Sequence, residues 1–182
     1  YNAYGQLGNA TTTNNLSPVS VFGVTDGVEV AAGVDFSCVR RMGGSVQCWG
    51  RNHVNQLGDG AAANRTVPGP VGGASPITDA TAIAADGNTA CALRAGGAVS
   101  CWGYNLYGQI GDGTTANRAL PTSVRNYGGM AGNLSGITQI AVGDSHVCGL
   151  RPDRTVVCWG RNTYGQLGDG TRTPRNVPGL VP

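Results

Sequence analysis

The side chains best suited to chemistry are six cysteines, which form three pairs with a separation of ten residues in each. The pairs are Cys38 with Cys48, Cys91 with Cys101, and Cys148 with Cys158. Equal spacing of thiols indicates either disulfides or metal ligation. A zinc site needs four ligands at short spacing, and each pair has at most one histidine beside it. Disulfides are therefore the favoured interpretation, and reduced buried thiols are the alternative.

Other reactive residues are few and scattered. The two histidines, His53 and His146, lie at different positions of the chain's repeat, and the sequence has no nucleophile elbow, phosphate-binding loop or His-Glu-x-x-His pattern. Three aspartates in Gly-Asp-Gly blocks each bring one carboxylate, whereas a calcium ion needs several oxygen ligands. We therefore expect no enzymatic activity, no cofactor and no metal.

The segments that carry the cysteines repeat along the chain. The block Cys-Trp-Gly-x-Asn begins at residues 48, 101 and 158, so successive copies are 53 and 57 residues apart. A second block, Tyr-Gly-Gln-Leu-Gly or a close variant, follows each copy and also occurs at residues 4–8. A fixed period of this length is typical of propellers and other repeat architectures.

Each repeat contains four short strand-like segments separated by glycine-rich turns. The predicted strands of the three repeats are 28–32, 38–40, 46–49 and 67–71, then 80–85, 91–94, 99–102 and 121–124, then 137–142, 148–151, 156–159 and 177–181. The fourth strand contains proline, which lacks a ladder donor and belongs at a sheet edge. The sequence therefore predicts an all-β propeller of four-stranded blades.

The blade boundaries follow from this period. We expect the end of a preceding repeat at residues 1–27, with one extra outer strand at 18–21, and complete blades at 28–79, 80–136 and 137–182. Three blades and one strand make a partial propeller, or one that further copies complete. Whether the chain is a fragment or a whole subunit stays open.

The hairpin between the second and third strands fixes a register for the cysteines. If Gly97 takes the left-handed position of a three-residue loop, Cys91 lies opposite Cys101 at a non-hydrogen-bonded site. The Cα atoms of such a site are about 4.5 Å apart, within the range of a disulfide. The third repeat has Arg154 at the glycine position, so this arginine must accept a positive φ.

The whole pattern resembles the regulator of chromosome condensation repeat, in particular the Cys-paired form of bacterial extracellular proteins. This resemblance implies a seven-bladed β-propeller. The sequence departs from the family pattern in several places. The histidine before the first cysteine is kept only as His146, and Phe36 and Thr89 replace it elsewhere. Val54 and Asn55 replace the Tyr-Gly of the other copies.

Composition limits the location and the partners. Disulfides persist in oxidising compartments, so we expect a secreted or cell-surface protein. The net charge of +2 comes from 12 arginines and 10 scattered acids, without the dense basic stripe of a nucleic-acid interface. No apolar run approaches the roughly 18 residues of a membrane-spanning helix. Four glycosylation sequons begin at Asn9, Asn15, Asn64 and Asn133.

Two sets of residues are candidate partner contacts. Arg65, Arg118 and Arg175 each precede a proline by three residues, and the family geometry places them around a ring. They would bind an acidic glycan or a partner's carboxylates, or, as we favour, hydrogen-bond loop carbonyls between blades. The longest insertion, at residues 125–136, is either a second contact surface, with Arg125, Tyr127 and Met130, or a flexible connector.

The repeated Trp49, Trp102 and Trp159 are open to two interpretations, a stacking platform or packing between blades, and we favour packing. Taken together, the sequence predicts a non-enzymatic, extracellular scaffold that binds a protein partner. The alternative is a structural subunit of an extracellular polymer, in which copies of the chain associate blade to blade.

Overall fold

The computed structural model describes residues 1–182, with the exception of the solvent exposure of Gly129. It contains three antiparallel four-stranded sheets, each built from four consecutive strands in spatial order. The strands are β1 (Gly27–Ala32), β2 (Phe36–Arg41), β3 (Val46–Gly50) and β4 (Arg65–Pro70) in blade 1; β5 (Ala80–Asp86), β6 (Thr89–Arg94), β7 (Val99–Gly103) and β8 (Arg118–Ser123) in blade 2; and β9 (Gln139–Val142), β10 (His146–Leu150), β11 (Val156–Gly160) and β12 (Arg175–Leu180) in blade 3. Single 3₁₀ turns occur at Ala95–Gly97 and Tyr127–Gly129.

The strand order explains the position of the prolines. The fourth strand of each blade pairs on one side only, so its missing N–H groups interrupt no central ladder. A register shift between Cys101 and Gly103 separates two short stretches of pairing with β8. The Pro-bearing strand is therefore the outer edge of every blade.

The hairpins hold the cysteines in the register that the sequence predicts. Leu93 pairs with Val99, and Cys91 pairs with Cys101. Disulfides link the three cysteine pairs, with Cα–Cα distances of 4.1, 4.1 and 4.2 Å in chain order. Arg154 adopts the positive φ of 69° that its place in the third hairpin requires.

One predicted strand is wrong. Residues 18–21 have the sequence of an outer strand but form no strand in the structure. An outer strand requires a third strand beside it, and the described residues include none next to this segment. Its neighbour Phe22 is tied instead by its N–H to the carbonyl of Gly8 at 2.8 Å.

The core lies between the blades and not within one sheet. The cysteine-bearing side of blade 1 packs against blade 2 around Phe36, Ile83 and Trp102. A second cluster joins blades 2 and 3 around Leu93, Val147 and Trp159. Because strand directions alternate, the β1–β2 turns and β3–β4 loops share one rim, here called the loop rim, and the β2–β3 hairpins form the opposite, hairpin rim. None of the described helical segments is long and apolar enough to cross a membrane.

Candidate functional site

Each joint between blades is built on a tryptophan. The indole N–H of Trp102 donates to the carbonyl of Gln56 in the preceding repeat at 3.0 Å. Its ring lies against Gly58, where an added Cβ would come within 2.6 Å of the Trp102 Cδ1 atom. Gly58 also has a φ of 65°, so both space and backbone conformation require glycine here.

The same contact recurs at the other joints. Trp49 donates to the carbonyl of Gln6, and Trp159 to that of Gln109, both at 2.9 Å. Trp102 and Trp159 are fully buried, and Trp49 is 4% exposed. The tryptophans therefore join blades and offer no stacking surface to a ligand.

A buried asparagine organises every β3–β4 loop. The amide oxygen of Asn105 accepts from the N–H of Ile110 at 2.8 Å, and its amide nitrogen donates to the carbonyl of Ala116 at 2.9 Å. Asn2, Asn52 and Asn162 take the equivalent positions and are also fully buried. The sequence predicted no role for these residues, although their recurrence two residues after each Trp-Gly is a usable signal.

The predicted ring of arginines is engaged inside each repeat. Arg118 Nε donates to Asp112 Oδ2 at 2.6 Å, six residues away. Arg65 pairs in the same way with Asp59, and Arg175 with Asp169, both at 2.7 Å. The favoured expectation of bonds to carbonyls between blades is thus replaced by an ion pair in the loop. Contact between these arginines and a partner stays a prediction. Each of the three guanidinium groups already pairs with an aspartate of its own repeat.

The aspartate of this pair also caps its own turn. Asp169 Oδ1 accepts from the side-chain and backbone donors of Thr171 at 2.7 and 2.9 Å. Because Thr171, and then Asn162 and Arg175, favour the ionised form, the pKa of Asp169 falls from 3.8 to about 2. In Asp112, hydrogen bonds from Thr114 and Arg118 outweigh burial and also lower the pKa.

This pKa predicts an acid-sensitive contribution to stability. A carboxyl group with a lower pKa in the folded state stabilises the fold above its unfolded value, and that contribution disappears as the pH falls from about 4 towards about 2. Asp169→Asn keeps an acceptor for Thr171 but removes the charge. Urea denaturation at pH 7, 4 and 2.5 should therefore show a smaller loss with acid in the variant. Equal losses in both proteins would contradict the prediction. Asp86→Asn controls for charge removal, because the Asp86 carboxylate accepts from the N–H of Gly87 and forms no ion pair with a described arginine.

The insertion at residues 125–136 is partly docked. The guanidinium of Arg151 lies over the ring of Tyr127, 4.7 Å from its centroid, and Leu134 is buried between blades 2 and 3. Met130 is 51% exposed, and Arg125 is exposed. Tyr127 thus has a structural contact, whereas Arg125 and Met130 face solvent.

The remaining predicted residues are dispersed. The part of the chain that the structure describes has no group of three or more His, Cys, Asp and Glu side chains that could hold a metal. Asn15, Asn64 and Asn133 are exposed, as a sequon must be for glycosylation, and Asn9 is half-buried. Whether any of them carries a glycan is still a prediction.

Aromatic and cationic side chains alternate along the loop rim. Arg51 lies over Tyr4, 4.6 Å from the ring centroid. Arg161 lies between Tyr107 and Tyr164, at 5.1 and 5.2 Å. Tyr and Arg are, with Trp, the residue types enriched among the few residues that supply most of the binding energy at protein interfaces. The sequence did not predict this row, because two of the three stacking pairs, Arg51 with Tyr4 and Arg161 with Tyr107, join adjacent repeats.

Comparison with known proteins assigns the family. One model of the regulator of chromosome condensation (RCC1) repeat matches residues 28–56, 80–109 and 137–166, and a second matches residues 1–40, 96–150 and 155–182. The chain belongs to the RCC1 repeat family. The RCC1 resemblance seen in the sequence is therefore confirmed, as is the propeller fold.

Individual relatives span the same repeats. The chain is 30% identical to the Ultraviolet-B receptor UVR8 of Arabidopsis thaliana over 97% of its length and 40% of that protein. It is 30% identical to the Probable E3 ubiquitin-protein ligase HERC4 of Homo sapiens over 99% of its length and 17% of that protein. The chain therefore spans less than half the length of these RCC1 relatives.

Solved RCC1-type structures share the fold. Human WBSCR16 superposes with a TM-score of 0.81 at 24% identity, covering 100% of this chain and 46% of that one. Yeast RCC1 (Prp20), solved bound to Kap60, gives a TM-score of 0.81 at 18% identity, covering 100% and 43%. At these identities the likeness is one of fold alone.

Proposed function

We propose that the chain is a non-enzymatic, secreted or cell-surface RCC1-type module that acts as a scaffold for binding another protein. One observation carries this proposal. The residues that recur in every repeat are used for structural contacts, whereas the aromatic and cationic positions of the loop rim are not kept in every repeat. Tyr104 stands where the other repeats have Arg51 and Arg161, and Val54 stands where the other copies have a tyrosine. Binding surfaces commonly consist of variable loops on a rigid scaffold.

The family comparison supports a protein partner. The structure of Prp20p from Saccharomyces cerevisiae was described with its binding to Gsp1p and histones, and yeast RCC1 was solved bound to Kap60. Those partners belong to that protein. For this chain we take only the class, a protein ligand on a propeller surface.

The three disulfides support an oxidising location. All six cysteines are paired, and cytosolic thiols are normally kept reduced. Trapping of thiols with an alkylating reagent in the native source, before lysis, should label none of the six. Labelling of all six would contradict secretion.

The binding role can be tested by site-specific photo-crosslinking. Amine-reactive reagents have no lysine to use in this chain, so a photoreactive phenylalanine analogue would replace Leu106 or Tyr164, which are 59% and 79% exposed on the loop rim. The matched control is Met42, 69% exposed on the hairpin rim. We expect crosslinks to a distinct protein from the loop rim and none from Met42. Equal or absent crosslinking at all three sites would contradict a loop-rim scaffold.

An apolar groove beside blade 1 and a turn in blade 3 that receives no described tryptophan favour a second candidate, a structural polymer subunit. An apolar groove of about 570 Å³ lies beside β1 and Trp49, and the turn at residues 166–168 contacts no tryptophan among the described residues. Arg154 argues against a polymer. It occupies the hairpin position of Gly97, where an added Cβ would lie 2.5 Å from the backbone nitrogen of Ile137 in the next blade. The side chain of Arg154 would therefore obstruct a blade that packed on blade 3 in the same way.

Sedimentation velocity distinguishes the two candidates. A polymer subunit should form species that grow with concentration, and Arg154→Gly should strengthen that growth because it removes the obstructing side chain. A compact 18.5 kDa monomer at all concentrations would leave the binding scaffold as the function.

A further inference from the structure

The tryptophans form three joints, the first between residues 1–8 and blade 1, the second between blades 1 and 2, and the third between blades 2 and 3. These joints differ in one detail of the loop rim. In the first joint, Asp35 lies in the turn between β1 and β2, and its carboxylate has two donors. Oδ1 accepts from Gln6 Nε2 at 3.3 Å, and Oδ2 accepts from Arg51 Nη1 at 3.1 Å. Gln6 and Arg51 thus form a two-donor clamp for a carboxylate.

The second joint has neither the carboxylate nor the cation. Asn88 stands at the position of Asp35, and its Oδ1 accepts from Gln56 Nε2 at 3.0 Å. Tyr104 stands at the position of the arginine. A neutral amide thus replaces the carboxylate where no cation faces it, and the glutamine is satisfied.

The third joint keeps both donors and lacks the acceptor. Ser145 stands at the aspartate position, and its hydroxyl donates instead to Asp144 Oδ2 at 3.2 Å. Gln109 Nε2 is fully buried and has no hydrogen-bond partner among the residues that the structure describes. Arg161 has no described carboxylate within 4.0 Å, and its Nε donates only to Thr163 Oγ1 at 2.9 Å. A buried donor without a partner is costly and uncommon.

The backbone and the amide keep the same arrangement in the first and third joints. The N–H of Arg161 donates to the carbonyl of Ser145 at 2.8 Å, as that of Arg51 does to Asp35 at 2.9 Å. Gln109 Oε1 accepts from the N–H of Tyr107 at 3.0 Å, the distance also found between Gln6 and Tyr4. The free amide of Gln109 therefore faces the place that the Asp35 carboxylate fills in the first joint.

We propose that Gln109, Ser145 and Arg161 form a notch that binds the carboxylate of an Asp or Glu side chain on a protein partner. The assignment of this notch rests on the proposed binding function and specifies the chemical group that the scaffold recognises. Asp35 indicates the occupant, because a carboxylate on a short methylene arm fills the equivalent space between Gln6 and Arg51. The rings of Tyr107 and Tyr164 flank the guanidinium and hold it in place.

The surroundings define the ligand further. Asp144 is exposed at the edge of the notch and opposes an incoming carboxylate, so Asp144→Asn should tighten binding. Beside Tyr107, a shallow pocket of about 240 Å³ is lined partly by Leu106 and Pro174. An acidic residue next to an apolar one fits both features.

The test is NMR titration of the ¹⁵N-labelled chain while the side-chain amide signal of Gln109 is followed. The probes are a tetra-aspartate peptide, the matched tetra-asparagine peptide, and glucuronate. We expect the aspartate peptide to shift the Gln109 signal in a saturable way, and the asparagine peptide to bind about tenfold more weakly or not at all. A shift with glucuronate alone would overturn the choice of a protein ligand.

Variants distinguish the notch from binding elsewhere. Ser145→Asp supplies the missing carboxylate, and Ser145→Asn satisfies Gln109 without adding charge, so both should abolish the peptide-induced shift. Asp35→Ser should create a second notch, detected at the Gln6 amide signal. The Trp159 indole signal reports whether each variant is folded. Peptide binding that persists in both Ser145 variants, or that leaves Gln109 unmoved in the parent, would overturn the notch while leaving the scaffold role standing.

Discussion

Full reduction of the three disulfides is expected to unfold the chain at 25 °C. Each bridge links cysteines ten residues apart, and the loss of chain entropy in the unfolded state is about 2.5–3 kcal/mol per bridge. Three bridges therefore contribute about 8 kcal/mol, which is comparable with the 5–15 kcal/mol total stability of a typical domain. Tryptophan fluorescence in guanidinium, with and without a phosphine reductant, measures the effect. Equal denaturation midpoints would contradict it.

The bridges should not be reduced together. Cys148 is half-exposed and lines a shallow pocket on a side of blade 3 that no other described blade covers, whereas Cys38 and Cys91 are 2% and 0% exposed. Timed reduction followed by alkylation and peptide mapping should find Cys148 and Cys158 labelled first. For the full-reduction experiment, the matched control is the double variant Cys91→Ala with Cys101→Ala, which removes one bridge. Its free energy of unfolding should be lower by only about 3 kcal/mol.

Trp102→Ala is expected to lower the free energy of unfolding by about 4 kcal/mol. The indole is fully buried between blades 1 and 2, and its removal leaves a large cavity against Gly58. The carbonyl of Gln56 also loses its donor. Urea denaturation of parent and variant gives the difference directly.

Two variants separate the parts of this effect. Trp102→Phe keeps an aromatic ring and removes the indole N–H, so we expect a loss of about 1 kcal/mol from the hydrogen bond with a further contribution from packing. Trp49→Ala should cost less than Trp102→Ala, because Trp49 borders the open groove beside residues 18–21. A loss under 1 kcal/mol for Trp102→Ala would show that the joint does not depend on this side chain.

Local geometry made much of the fold predictable from the sequence. The hairpin loop fixes which residues face each other, so the pairing of Cys91 with Cys101 follows from counting outward from Gly97. The φ of Arg154 follows from the same count. The prediction of an outer strand at residues 18–21 was wrong because a strand forms only where a neighbouring strand pairs with it. The repeat period does not show whether such a neighbour is present.

The candidate site was less predictable, because its contacts join different repeats. The stacking of Arg161 on Tyr107 crosses a joint, and the missing acceptor of Gln109 appears only when Ser145 is compared with Asp35 in space. The pairing of Arg118 with Asp112 depends on the path of the loop between them. The repeated sequence predicts the scaffold. The residues that differ between repeats can be interpreted only after the repeats are compared in the structure.

The blades form one rigid scaffold because a tryptophan of each blade inserts into the preceding repeat. Hydrogen exchange of the three indole N–H groups, followed by NMR, tests it most directly. We expect Trp102 and Trp159 to exchange only as fast as the fold opens, and Trp49, at the more open first joint, to exchange somewhat faster. Exchange of all three at the rate of free tryptophan would contradict the claim.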